Sequence, residues 1–145
     1  MSRQNLKVIG FALVSLVAVS RVAAAEALDG AYRGMIVCEK MKNGAGELRA
    51  PLDITISGKT ALAARPVFNL RGYRVVGSEI ATGTVADDGS VKFSSNWSGS
   101  GAAYQGSYGG VITAKGGTLT GMQAWTTRDG KQERACTAAF VQSRT

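Results

Sequence analysis

Apolar and polar residues alternate along most of this chain. Leu52, Ile54 and Ile56 are interleaved with Asp53, Thr55 and Ser57, and Val91, Phe93 and Trp97 with Lys92, Ser94 and Asn96. Successive side chains of an extended strand point to opposite faces, so this pattern marks strands with one face on a core and one in water. Beyond residue 25, no stretch repeats apolar residues at helical spacing over three turns without a glycine or turn signal. The chain therefore reads as all-β. The pattern predicts strands over 31–39, 51–57, 60–65, 73–76, 79–86, 90–97, 102–114, 118–127 and 132–141.

The punctuation between these segments agrees. Asn43-Gly44, Ser57-Gly58-Lys59, Asp87-Asp88-Gly89, Ser98-Gly99-Ser100-Gly101, Lys115-Gly116-Gly117 and Asp129-Gly130 are turn sequences. Each offers glycine or an Asx residue where a hairpin needs positive φ. Pro51 and Pro66 fall at strand ends, where a missing N–H does little harm. Tyr32, Ile36 and Cys38 share one face of the first strand, and Cys136 and Phe140 share a face of the last. If both cysteines point inward, first and last strands are neighbours. The sheet then closes into an antiparallel up-and-down barrel of about eight strands, which removes its edges. A two-sheet sandwich with an inter-sheet disulfide is the competing arrangement.

One apolar run does not alternate. Val8 to Val19 follows Arg3 and Lys7 and precedes Ala23-Ala24-Ala25. A basic start, a short apolar core and small residues at a cleavage point make a secretory signal peptide. The run falls short of the about 20 apolar residues that a membrane-spanning helix needs. Residues 1–25 are therefore expected to be a signal peptide and 26–145 a single β domain, periplasmic or secreted, with no membrane span in the mature part. In such a compartment Cys38 and Cys136, the only two cysteines, are expected to form a disulfide.

Charge and composition narrow the chemistry. Arg3, Lys7 and Arg21 lie in the leader and no acid does, so the mature part keeps 14 of the 17 basic residues against 10 acidic ones, a net charge of +4. That suits an anionic partner or plain solubility, and an exported protein rarely meets nucleic acid. There is no histidine. The commonest general base and the commonest zinc ligand are thus missing. No S-x-x-K motif and no calcium loop occur; Asp87-Asp88-Gly89 is too short for one. The chain is read as a non-enzyme without metal, cofactor or catalytic residues.

Two groups of residues stand out as binding candidates. Trp97, Tyr104 and Trp125, with Tyr108, cluster in the later strands, where they either line a cavity or fill a core. The second group is Arg65-Pro66-Val67-Phe68-Asn69-Leu70-Arg71-Gly72-Tyr73-Arg74. Its three arginines interleave with aromatics and no acid, and it breaks the alternation on either side. Arginine with aromatics is the composition of binding hot spots. Arg65, Phe68, Arg71, Tyr73 and Arg74 are therefore candidates for binding an anionic partner. The alternative is a connecting loop with solvated arginines.

Asp29-Gly30-Ala31-Tyr32-Arg33-Gly34 leading to Cys38, the segment Arg65 to Leu70, and Gly117-Thr118-Leu119-Thr120-Gly121 leading to Trp125 and Cys136 resemble small exported β-proteins of bacteria whose function is uncharacterised. That resemblance implies no activity. Ser100-Gly101-Ala102-Ala103-Tyr104 is similar to the Ser-Gly-x-x-Tyr loop of periplasmic lysozyme inhibitors, which are small disulfide-linked barrels. Ala103 stands where that loop carries a basic residue. Two functions are thus expected in competition. One is an exported barrel that binds a small or envelope-derived ligand at its mouth. The other is an inhibitor of a secreted hydrolase, a lysozyme or protease, acting through a loop.

Overall fold

The computed structural model describes residues 28–42, 45–69, 74–99 and 101–143. The signal peptide expected at the N-terminus lies outside them, as do Arg71 and Tyr73. The alternation resolves into eight strands: β1 Gly30–Cys38, β2 Leu48–Ser57, β3 Thr60–Phe68, β4 Val75–Val85, β5 Ser90–Gly99, β6 Ala102–Thr113, β7 Gly116–Thr127 and β8 Gly130–Gln142. Each pairs antiparallel with its neighbours in sequence, and β1 pairs with β8, closing the barrel. The sandwich is thereby set aside.

Three details differ from the sequence reading beyond shifts of a residue or two at strand ends. β2 begins at Leu48, so Pro51 lies within the strand and not at its end. The strand expected over 79–86 and the described part of the one expected over 73–76 merge into the single strand β4, Val75–Val85. Gly77 does not break it. Gly77 faces inward, where a Cβ would stand 3.0 Å from the indole nitrogen of Trp97. Residues 66–68, expected in a loop, extend β3 opposite β4, with a bulge between Val67 and Phe68.

The seam of the barrel is stapled. Cys38 lies directly opposite Cys136 in the β1–β8 register, and the two form a disulfide. Both side chains face the core, which is why the expectation from their phase holds.

The interior is filled by its own side chains, large against small. Phe140 packs where Gly34 and Gly117 leave no Cβ in its way, Phe93 beside Gly83, and Tyr108 beside Gly121. A Cβ on Gly34 would stand 2.6 Å from that of Phe140. This alternation is how small barrels fit aromatics inside a narrow bore. The lower core lies at the end carrying the β2–β3, β4–β5 and β6–β7 turns, and includes Tyr32, Ile54, Val91, Ile112 and Phe140. Leu28 caps it, its carbonyl accepting a hydrogen bond of 2.7 Å from the Tyr32 hydroxyl. The upper core, near the other end, gathers Met41, Ala45, Val67, Tyr104 and Trp125.

The wall is not equally tight all round. The β2–β3 ladder runs only from Ser57↔Thr60 to Asp53↔Ala64. Continued in register, it would bring Leu52 opposite Arg65 and then Pro51 opposite Pro66, the chain's two prolines. Proline cannot donate to a ladder, so the two strands part there. The β4–β5 ladder likewise ends at Ala81↔Ser95. Above these points β3 and β4 pair with each other alone. They form a hairpin arm, Arg65–Phe68 with Val75–Glu79, at the upper end of the barrel.

Candidate functional site

Three consecutive strands place three aromatic rings in one row at the upper end. Trp97 is opposite Tyr104 in register, and Tyr104 is opposite Trp125. Their centroids lie 5.8 Å apart for Trp97–Tyr104, 4.4 Å for Tyr104–Trp125 and 6.2 Å for Trp97–Trp125. Tyr104 and Trp125 are buried, whereas Trp97 is half-buried. A cavity of about 450 Å³ opens above this row. Trp97, Trp125, Phe68 and Val76 give it aromatic and aliphatic walls, Gly99, Gly101 and Ala102 leave it room, and Asn69, Thr127, Arg128 and Asp129 supply polar groups. That size and mixture suit a small ligand.

Beneath the aromatic row lies a polar layer of which the sequence pattern marked only Arg65. Arg65, Glu79, Ser95, Gln123 and Arg134 are all buried inside the barrel. Arg65 and Glu79 are opposite in register and form an ion pair. Ser95 Oγ donates to Glu79, and Arg65 Nη2 donates to the Tyr104 hydroxyl at 2.7 Å. Gln123 links the other half of the layer. Its amide donates to the Tyr108 hydroxyl at 2.9 Å, and its carbonyl oxygen accepts from Trp125 Nε1 at 3.0 Å and from Arg134 Nε at 2.8 Å. The Arg134 guanidinium also sits 5.3 Å from the Trp125 ring centroid. A cavity of about 20 Å³ borders Arg65, Glu79 and Tyr108, about enough for one water.

Burial governs the titration of this layer. It holds Tyr104 above the ordinary tyrosine value of 10.0. Tyr108 is raised too, by burial and then by Glu79, and Tyr32 by burial and then Asp29. Burial, and then Arg65, lowers Arg134 from the ordinary arginine value to about 10. The signs oppose. Raised tyrosines give stability that is complete below pH 10 and is lost above it, where the unfolded chain ionises first. Arg134 returns stability as pH rises from about 10 toward the ordinary arginine value. With three tyrosines against one arginine, the urea midpoint is expected to fall between pH 9 and pH 11, and Tyr108→Phe to flatten that fall. A midpoint that holds would show Arg134 outweighing the tyrosines.

The candidate residues thus divide. Trp97, Tyr104 and Trp125 come together, with Phe68 at the edge of the same cavity. Arg65 is not on a loop: it faces inward with the phase of Ala61, Ala63 and Val67, and its charge is spent on Glu79. Arg74 is exposed at the tip of the arm, where its carbonyl accepts from Asn69 N at 2.8 Å. Tyr104, the tyrosine of the Ser-Gly-x-x-Tyr run, points into the barrel from β6 rather than outward from a loop. Glu79, Ser95, Gln123 and Arg134 were missed. Among the described residues, no group of three acidic, cysteine or histidine side chains is placed to hold a metal ion. No helix among them is long and apolar enough to cross a membrane.

No family matches the chain, and no curated protein matches it significantly. Among solved structures it is similar to a crystal structure of unknown function from Bacteroides ovatus, at 16% identity with a TM-score of 0.47. The likeness covers 78% of this chain and 41% of that one, so this chain spans less than half of its neighbour's length.

Proposed function

We propose that this chain is an exported β-barrel that binds a small ligand at its upper mouth. The supporting observation is the half-buried Trp97, which walls a cavity of about 450 Å³ at the upper end of the barrel. It lines that opening with further apolar groups, Phe68 and Val76 among them. The disulfide and the secretory leader read from the sequence fit an oxidising compartment.

The test reads the mouth directly, because Trp97 and Trp125 are the only tryptophans. Native mass spectrometry of protein recovered from its own cell envelope is expected to show a small-molecule adduct. Its removal should change tryptophan emission, and Trp97→Ala should weaken binding about tenfold, the worth of about 1.4 kcal/mol. The same spectrum is expected to begin at Glu26. An adduct kept in full by Trp97→Ala, with unchanged emission, would place the ligand elsewhere.

A further inference from the structure

We propose that the mouth selects an anion: a ring-bearing small molecule whose oxyanion group answers the guanidinium layer beneath Trp125 and Tyr104. This rests on the mouth-binding reading above and adds the sign of the ligand.

The inference starts from charge inside the barrel. Two guanidinium groups, Arg65 and Arg134, share the buried layer with one carboxylate, Glu79. Arg65 takes that carboxylate. The partners described for Arg134 are the neutral carbonyl oxygen of Gln123 and the face of Trp125. Neither carries a charge. A buried cation left without a counter-charge is costly, because water no longer solvates it. The depressed pKa of Arg134 has that origin, with burial first and Arg65 second.

Geometry then directs the surplus toward the mouth. The lower end is sealed by apolar packing around Tyr32, Ile54 and Phe140. Trp125 is shared: its ring lies 5.3 Å from the Arg134 guanidinium, and it also walls the mouth cavity. A charge in a low-dielectric bore is felt most where the bore opens, since protein walls screen it less than water does. At the rim, Arg128 and Asp129 both border the cavity and offset each other. Arg74, exposed at the tip of the arm, adds a further positive charge. The ring of a ligand stacks on Trp97, and its oxyanion lies over Trp125, where the field of the guanidinium behind that ring favours carboxylate, phosphate or sulfonate.

The test uses two fluorescent probes that share a scaffold. 8-Anilinonaphthalene-1-sulfonate carries an oxyanion, and N-phenyl-1-naphthylamine lacks it. Titrated at low salt into the disulfide-bonded protein, the sulfonate is expected to bind at least about tenfold more tightly. That margin should shrink as salt rises. Arg134→Gln should bring the sulfonate to the level of the neutral probe and leave the neutral probe as it was. Equal affinity of the two probes for the unaltered protein would overturn the inference and spare the mouth. Binding of neither probe, or binding unaltered by Trp97→Ala, would remove the mouth and the inference together. Should Arg134→Gln fail to fold, Arg134→Met removes the charge and keeps an apolar stem of similar reach, and the same loss of the sulfonate margin is expected. A full margin in that variant, lost instead in Arg74→Gln with Arg128→Gln, would place the anion at the rim and overturn the assignment.

Discussion

Glu79→Ala is expected to destabilise the barrel by about 3–5 kcal/mol, the usual cost of removing one partner from a buried ion pair. Glu79 is the sole carboxylate in a buried layer that holds two arginines. Its oxygens take the Arg65 guanidinium and the Ser95 hydroxyl. Without them both cations lie in a packed bore with only neutral partners. A domain of this size has a total stability of about 5–15 kcal/mol, so the loss is a large share of it. The pair itself is expected to be worth far less than its breakage costs. In the double variant Arg65→Met with Glu79→Leu, the desolvation penalty of both ions is gone, and most of the lost stability should return. Urea unfolding of the two single variants and the double gives the coupling. A loss of under about 1 kcal/mol in Glu79→Ala would mean that water reaches Arg65 through the parted β2–β3 wall, and the layer would then count as wet.

The barrel itself was legible because its causes are local. Alternation gave the strands, and turn residues such as Gly58 at φ 59° and Gly89 at φ 81° gave the hairpins. The shared phase of Ile36 with Cys38, and of Cys136 with Phe140, gave the closure. The arm was not legible. Pro66 and the run of arginines looked like a loop, because a strand paired on one flank only can tolerate both. The polar layer was missed for a related reason: charged residues were read as outward by type. Phase says otherwise. Arg65 keeps step with Ala61, Ala63 and Val67, and Arg134 with Cys136, Ala138 and Phe140. Gln123 keeps step with Leu119 and Trp125. A charge on the apolar phase of a strand is the signal that finds such a layer. Which cation meets which anion depends on register between strands distant in sequence. Arg65 and Tyr104 are joined across the bore, 39 positions apart, and no local pattern contains that contact.

Replacing both cysteines, as Cys38→Ala with Cys136→Ala, is expected to lower stability by about 3–5 kcal/mol in urea unfolding. The bridge spans 98 positions, so in the chain-entropy account it restricts the unfolded chain by close to 4.7 kcal/mol. The native state sets the other side of the balance. Cys38 and Cys136 are opposite one another at one end of the β1–β8 register, which continues to Tyr32↔Gln142. The remaining ladder still holds the seam after the bridge is removed. Alanine is the better replacement than serine, because both positions are buried and a hydroxyl there would need a partner. The barrel is therefore expected to stay closed at rest and to open sooner under denaturant. Hydrogen exchange should locate the weakness. Amides near Cys38 and Cys136 should lose protection first, and those near Tyr32 last, since the Leu28 cap and the lower core hold that end. An unchanged urea midpoint would show that the long-range restraint counts for nothing once the ladder is formed. Uniform loss of protection along β1 and β8 would show instead that the seam opens as one unit, with the bridge holding the whole closure rather than its upper end.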